Sequence, residues 1–251
     1  MMPKVELQDV TVRFPVFGAR DRSFRSLALH RASGGHIASS GHHRAVVTAL
    51  DHISFKLRPG DRLGVVGHNG SGKSTLLRVI AGIYRPAEGR VAVEGRIASL
   101  LDIALGLDPD ATGFENIYLR AYLLGHSRRE VDKRVDQIVD FSGLGEFLDL
   151  PMRSYSAGMT IRLGFSIVTA FDADIVLVDE WLSVGDAEFL EKSSQRLRDL
   201  TTGSTILVVA SHNESLVNSI CTQTLRLNQG TATLASLETQ EKAEALTLPE
   251  T

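Results

Sequence analysis

Apolar and polar residues alternate from Lys4 to Phe14, with Val5, Leu7, Val10 and Val12 as the apolar set and a phase slip near Asp9. A period of two predicts a half-buried strand with a break where the phase slips. "ALDHISFKL" (49–57) predicts a second strand, Pro59 and Gly60 a tight turn, and "PGDRLGVVG" (59–67) a buried third strand. Leu76, Leu77, Val79 and Ile80 then recur at helical spacing and predict a helix over 74–82. "GRVAVEGRI" (89–97) alternates again. From 113 to 170 no strand-like alternation remains, and the segment reads as a helical block. Within it Ser127 and Glu130 stand at capping-box spacing before Val131, Val135, Ile138 and Val139. "DIVLVD" (174–179) and "TILVVAS" (205–211) are short, dense, β-branched runs, suited to central parallel strands covered on both faces.

Residues 18–46 break the pattern. They are rich in Ser, Gly, His and Arg, with Asp21 as the single acid. "SFRSLALHRA" (23–32) predicts a short helix capped by Ser23, "SGGHIASSGHH" (33–43) predicts a flexible loop, and the whole reads as an insertion between two strands. Residues 238–251 form a polar tail. The order is antiparallel strands, a strand–turn–helix, a helical block and two buried strands. It predicts an α/β fold, mostly parallel sheet flanked by helices, with an antiparallel β subdomain and an α-helical subdomain over about 106–170; because the strand–turn–helix at "GVVGHNGSGKSTLL" (64–77) resembles a phosphate loop, the core is expected to be a P-loop NTPase core.

Composition narrows this picture only slightly. The chain has 251 residues, 43% hydrophobic and 23% charged, which fits one large domain with an insertion. A net charge of -3 supplies no global basic field, so nucleic acid is not an expected partner. Cys221 is the single cysteine, so no internal disulfide forms and a reducing compartment fits. "MMPKVELQDV" lacks the apolar core of a signal peptide. No apolar run approaches the roughly 20 residues that span a bilayer. The expectation is a soluble, cytoplasmic chain that can dock onto something in a membrane.

The chemistry concentrates at "GVVGHNGSGKSTLL" (64–77). Gly67, Gly72, Lys73 and Ser74 fit the phosphate-loop pattern G-x-x-x-x-G-K-[ST]. Glycines let the backbone curl so that successive N–H groups face phosphate oxygens, and the following helix brings its positive end there. Lys73 supplies a mobile cation for the β and γ phosphates, and Ser74 an oxygen ligand for Mg²⁺. His68, Asn69, Gly70 and Ser71 complete the loop and Thr75 follows it, so all are expected at the nucleotide. "IVLVDE" (175–180) ends a strand in Asp179 and Glu180. In P-loop proteins such an Asp helps hold Mg²⁺, and a second acid can orient or deprotonate the attacking water. Taken alone, the same pair reads as a buried strand ending in two solvated acids. The N-K-x-D motif that reads guanine is absent.

Between these signals lies "YSAGM" (155–159), at the start of "TIRLGFSIVTAF". Here the chain resembles the nucleotide-binding subunit of ABC transporters, whose signature is usually L-S-G-G-Q. Ser156 and Gly158 match it, while Ala157 and Met159 depart from its commonest form. The resemblance implies that Ser156, Ala157 and Gly158 meet the γ-phosphate of an ATP held by the phosphate loop of a second copy. On Ser156 alone, a serine N-cap before a core helix explains as much. The resemblance also implies that Asp186 of "SVGD" is the D-loop acid and that His212 is the switch histidine. It further implies that Phe14 or Phe17 stacks on adenine; plain packing within the β subdomain is the other reading of both.

The glutamine that the family usually places after its β subdomain is missing, for none stands between Gln8 and Gln137. Asp102 is the nearest substitute as a Mg²⁺ link. The segment "IASLLDIALGLDPDATGFENIYL" (97–119) resembles the branch that exports lipid-linked bacterial polysaccharides such as O-antigen, capsule or teichoic acid. "GMTIRLGFSI" and "VDEWLSVGD" are also similar to it, and the likeness covers about residues 1–230. Some members of that branch carry a further carbohydrate-binding β-domain, and the chain ends about twenty residues past "LRLNQG", too soon for one.

The resemblance implies an ATPase domain over 1–237 that binds ATP and Mg²⁺, pairs head to tail with a second copy, and drives an integral membrane permease moving a lipid-linked glycan. Its place would be the cytoplasmic face of the bacterial inner membrane. An exporter of lipid or drug, an ABC ATPase outside transport and a non-enzymatic ATP-binding module remain as alternatives. His36, His42 and His43 could bind Zn²⁺ or Cu²⁺, or be solvated loop residues. The basic "RDRSFRSLALHRA" (20–32) could lie near lipid headgroups, or be an ordinary exposed loop.

Overall fold

Strand β1 (Lys4–Pro15) bends where its alternation slips. Asp9 takes a left-handed backbone (φ 54), and the register against its neighbours shifts between Leu7 and Val10. This computed structural model describes residues 2–15, 36–40, 44–180, 187–202 and 205–236. β1 pairs antiparallel with β3 (Arg44–Leu57) and with β5 (Glu88–Glu94). The loop expected over 33–43 is corrected in part: His36–Ser40 is strand β2, paired antiparallel with the start of β3. Backbone pairing to a neighbouring edge needs no apolar alternation, so a Ser- and His-rich stretch can form a strand that its composition hides. The sheet order is β2-β3-β1-β5.

The second sheet runs β10-β9-β4-β8-β7-β6. Its centre is β4 (Arg62–Val66), β8 (Ile206–Ala210) and β7 (Ile175–Asp179), mutually parallel in that order. Burial on both faces explains their unbroken apolar runs. Three of its strands go unassigned from the pattern. β6 (Ile97–Ser99) has only three residues, too few to show a period. β9 (Gln223–Asn228) and β10 (Thr231–Ser236) form an antiparallel hairpin around Gln229 and Gly230 (φ 49 and 86). Gln229-Gly230 between alternating residues was the readable signal for a hairpin, and the paired positive φ is what the glycine there permits.

Helix α1 (Lys73–Ile80) packs against strands of both sheets. Its Leu76, Leu77, Val79 and Ile80 join Leu7, Leu57, Leu63, Leu177 and Val208 in one buried cluster. The helical block contains α2 (Gly113–Leu123), α3 (Arg128–Asp132), α4 (Val135–Ser142) and α5 (Ala157–Thr169). Ile117, Ile138, Leu148, Leu163 and Ile167 give it a core of its own. Helices α6 (Ala187–Leu200) and α7 (Glu214–Ile220) complete the α/β layer.

The capping residues fall as their spacing predicts. Glu130 accepts from the Ser127 amide (2.8 Å) and hydroxyl (2.6 Å), contacts that lower its pKa. α2 starts at a full Thr112–Glu115 capping box. Before it, buried Asn116 holds the incoming loop: its Oδ1 accepts from Asp108 N (2.7 Å), and its Nδ2 donates to the Asp108 and Thr112 carbonyls (both 2.9 Å). Asn116→Ala strands these buried groups and should cost about 2 kcal/mol, read as a lower urea midpoint. An unchanged midpoint would mean that the loop holds itself.

Candidate functional site

The buried run Leu63–Val66 delivers the chain to Gly67, and α1 carries it away from Lys73. Between them the backbone turns through three positive-φ glycines, Gly67 (153), Gly70 (79) and Gly72 (110). The turn is tightly enclosed. A Cβ on Gly67 would stand 2.4 Å from the Leu227 carbonyl oxygen, and one on Gly72 2.5 Å from that of Ala49. Gly72→Ala therefore combines a strained φ with a backbone clash. It should lower stability by about 2 kcal/mol and weaken nucleotide binding together, measured by thermal melting and titration. Wild-type values in both would show that the loop yields.

The loop gathers donors. α1 has no side-chain cap and no acid in its first turn, so its leading N–H groups keep their positive end uncompensated. Lys73 is 7% exposed and donates from Nζ to the carbonyls of Gly67 (2.9 Å) and His68 (3.2 Å). Ser71 Oγ is buried without a hydrogen-bond partner among the described residues. Ser74 and Thr75 sit half-buried in the first turn, and His68, Asn69 and Gly70 are exposed. The β9–β10 turn braces the loop: Gly230 N donates to Ser71 O (3.2 Å), and Gly230 O accepts from Asp51 N (2.8 Å).

Strand order brings the other candidates here. Ala210 is in register with Val65 on one side and Asp179 on the other, so the three form one row across β4, β8 and β7. Neighbouring strands lie about 4.8 Å apart. His212 follows β8 and so emerges between the phosphate loop and the two acids. Glu180 takes a left-handed backbone (φ 58), its N–H donates to Ala210 O (2.9 Å), and its Oε2 pairs with His212 Nδ1 at 2.8 Å. Beside this pair lies a cleft of about 760 Å³, lined by Leu100–Leu105, Ile161, Val178, Asp179 and Glu180. Asp102 shares that cleft, and its carboxylate is held by Arg78 of α1 at 3.3 Å.

Ser156 caps α5, its Oγ accepting from Met159 N at 3.2 Å. Ser156 and Ala157 are exposed and Gly158 half-buried. α5 packs on α2, α4, α6 and β6, within the helical block and its margin with the sheet. Phe14 is half-buried, its ring set edge-on to Tyr84 at 5.3 Å. Phe17, His42, His43 and Asp186 lie outside the described residues, and His36 belongs to β2. Three contributors escaped the sequence reading: Gly230 behind the loop, Arg78 against Asp102, and Ile161 in the cleft. Each acts through a contact distant in sequence.

These groups fit a nucleoside polyphosphate. The enclosed glycine turn, the orphaned Ser71 hydroxyl, the buried Lys73 and an uncapped helix N-terminus are all suited to phosphate oxygens. Ser74 and Asp179 offer the hard oxygen donors that Mg²⁺ selects. Among the described residues no three His, Cys, Asp or Glu side chains form a metal cage.

Comparison with known proteins agrees. Residues 50–183 match the family described as ABC transporter. The chain is 42% identical over 229 residues to the O-antigen export system ATP-binding protein RfbE of Yersinia enterocolitica, across 91% of this chain and 96% of that protein. It is 36% identical over 228 residues to the teichoic acids export ATP-binding protein TagH of Lactococcus lactis, across 90% of this chain and 47% of that protein. Among solved structures it is similar to a dimeric ATP-binding cassette in a post-hydrolysis state with ADP and Pi, with TM-score 0.68 and 22% identity, over 93% of this chain and 98% of that one. At that identity the likeness concerns the fold.

Proposed function

The chain belongs to the ABC transporter family, and from that premise we propose that it powers export of a lipid-linked polysaccharide through a separate membrane permease. Family membership makes it an ATP-binding ATPase. The polysaccharide class is supported by the O-antigen and teichoic acid export proteins that it resembles along most of its length. Among the described residues no helix is long and apolar enough to cross a membrane, so the glycan path belongs to the permease. The site of action is the cytoplasmic face of the inner membrane.

The observation that supports the hydrolytic reading is the row Val65–Ala210–Asp179, which brings the strand ends that lead into the phosphate loop, His212 and Glu180 side by side. The phosphate-loop N–H groups and Lys73 bind the β and γ phosphates. Ser74 and Asp179 would hold Mg²⁺, which would offset phosphate charge. Glu180 orients the attacking water and takes its proton as the γ-phosphorus–oxygen bond to ADP breaks. His212 Nδ1 is tied to Glu180 at 2.8 Å, which leaves Nε2 for a γ-phosphate oxygen. Phe14 stacks on adenine. Two copies close head to tail, so that Ser156, Ala157 and Gly158 of one cover the phosphates held by the other, with Asp186 at the same interface. Hydrolysis and phosphate release remove those bridging contacts and let the pair open. Asp102, held by Arg78 in the cleft beside Glu180, serves in this reading as the substitute for the family's missing glutamine.

The test is co-reconstitution of the chain with its permease in lipid vesicles. Lipid-linked polysaccharide should raise phosphate release and appear in the lumen. Stimulation by an unrelated lipid or drug, with no response to the glycan, would overturn the substrate class.

A further inference from the structure

Helix α1 links the phosphate loop to an aromatic pair near its other end. Its first residue, Lys73, follows the loop, and beyond its last, Ile80, the chain folds back onto the helix. Gly82 N donates to Val79 O (3.1 Å), and the amides of Ile83 and Tyr84 both donate to Arg78 O (2.9 and 3.1 Å). Further on, Ala87 N donates to Thr11 O of β1 (2.8 Å). Tyr84 is thus held between two backbone anchors, one on α1 and one on β1. Its ring meets Phe14 edge-on, with centroids 5.3 Å apart and planes at 71°. Both rings are half-buried and pack on the buried cluster that α1 joins.

Phe14 lies within a nucleotide's reach of the phosphate loop. A Cβ on Gly72 would stand 2.5 Å from Ala49 O of β3. Val47 comes two residues earlier, about 7 Å back along that strand, and pairs with Phe14 across the ladder. α1 itself is about 12 Å long for its 8 residues, which is the scale of an extended nucleotide. A nucleotide whose phosphates sit at the first turn of α1 can thus bring its base to Phe14. To stack on a base, a ring must present its face at a fixed tilt. Phe14 has no polar atom with which to hold one. Edge-on contact with a second ring supplies the orientation, because the positive rim of one ring is drawn to the negative face of the other.

We propose that Tyr84 is a positioning residue for the nucleotide base: it fixes the tilt of the Phe14 ring, so that one face lies against adenine while α1 holds the phosphates. This deepens the ATP site proposed above and rests on its adenine stack at Phe14. The anchors at Arg78 and Thr11 tie Tyr84 to the helix that carries Lys73 and to the strand that carries Phe14. Base and phosphates are therefore gripped in a fixed relation to each other.

The experiment titrates the full chain with MgADP, which carries the base and is not hydrolysed, and with magnesium pyrophosphate, which carries phosphates alone. Tyr84→Leu should weaken ADP binding by roughly three- to tenfold and leave pyrophosphate binding unchanged. In turnover, KM for ATP should rise with kcat unchanged. Tyr84→Phe keeps the edge-on ring and should bind ADP as the wild type does. Phe14→Leu reads the underlying stack: it should weaken ADP binding and spare pyrophosphate, and adding Tyr84→Leu to it should lower affinity no further. If Phe14→Leu leaves ADP affinity at the wild-type value, the adenine stack falls and this inference with it. If Phe14→Leu weakens ADP binding and Tyr84→Leu does not, the positioning role alone falls. Equal losses for ADP and pyrophosphate in Tyr84→Leu would also overturn it, since a tyrosine that only props up the fold moves both. Should Tyr84→Leu fail to fold, Tyr84→Met fills the site without a ring: a loss of ADP affinity that spares pyrophosphate supports the proposal, and wild-type ADP affinity removes it.

Discussion

Glu180→Gln should cut steady-state ATP hydrolysis by a hundredfold or more, on the order of 10²–10⁴ for a lost general base, while ATP still binds. The side chain keeps its size, and its amide oxygen can still accept from His212 Nδ1, now 2.8 Å from Glu180 Oε2. The left-handed turn at residue 180 and its N–H bond to Ala210 are backbone features that the substitution leaves alone. Proton acceptance is therefore removed together with the carboxylate's charge, while size and backbone stay the same. With hydrolysis blocked, the closed ATP-bound pair should accumulate, seen as a dimer in gel filtration with ATP and a monomer without it. Turnover at the wild-type rate would take Glu180 out of the base role. A turnover defect without the dimer would remove the shared-site reading instead.

Lys73→Ala should weaken ATP binding by about tenfold to a hundredfold, the range for losing a charge-assisted hydrogen bond to phosphate. Two effects add. The cation leaves, and the Gly67 and His68 carbonyls lose the Nζ that now ties the loop together at 2.9 and 3.2 Å. Lys73→Met fills the space without the charge and separates the two effects: it should match Ala in affinity and exceed it in stability. Calorimetric titration decides, and an affinity equal to the wild type would contradict the phosphate cradle.

The bend at Asp9, the buried strands 175–179 and 206–210 and the phosphate loop were all readable in the sequence, because each follows from neighbours along the chain. An apolar run, a glycine-rich turn or a serine three residues before a glutamate acts locally. The strand at His36–Ser40 was hidden because its pairing lies in the backbone. The short strand at Ile97–Ser99 offers no period to detect. The hairpin at 223–236 was missed although Gln229-Gly230 between alternating residues is a legible turn signal. Asp102 was singled out from its place in the chain, but its partner Arg78 stands 24 residues earlier and had no local signature.

The sequence by itself determined the chemistry available here: a phosphate loop, two acids at a strand end, a serine-capped helix and a histidine after a strand. Those assignments rest on short-range rules of conformation and side-chain type. Only the tertiary structure decided that β8 lies between β4 and β7, since pairing order depends on the packing of whole layers and leaves no mark on any one strand. That order places His212 within reach of Glu180. It also left Arg120 Nε buried without a hydrogen-bond partner among the described residues, a cost of packing that no local pattern of residues records.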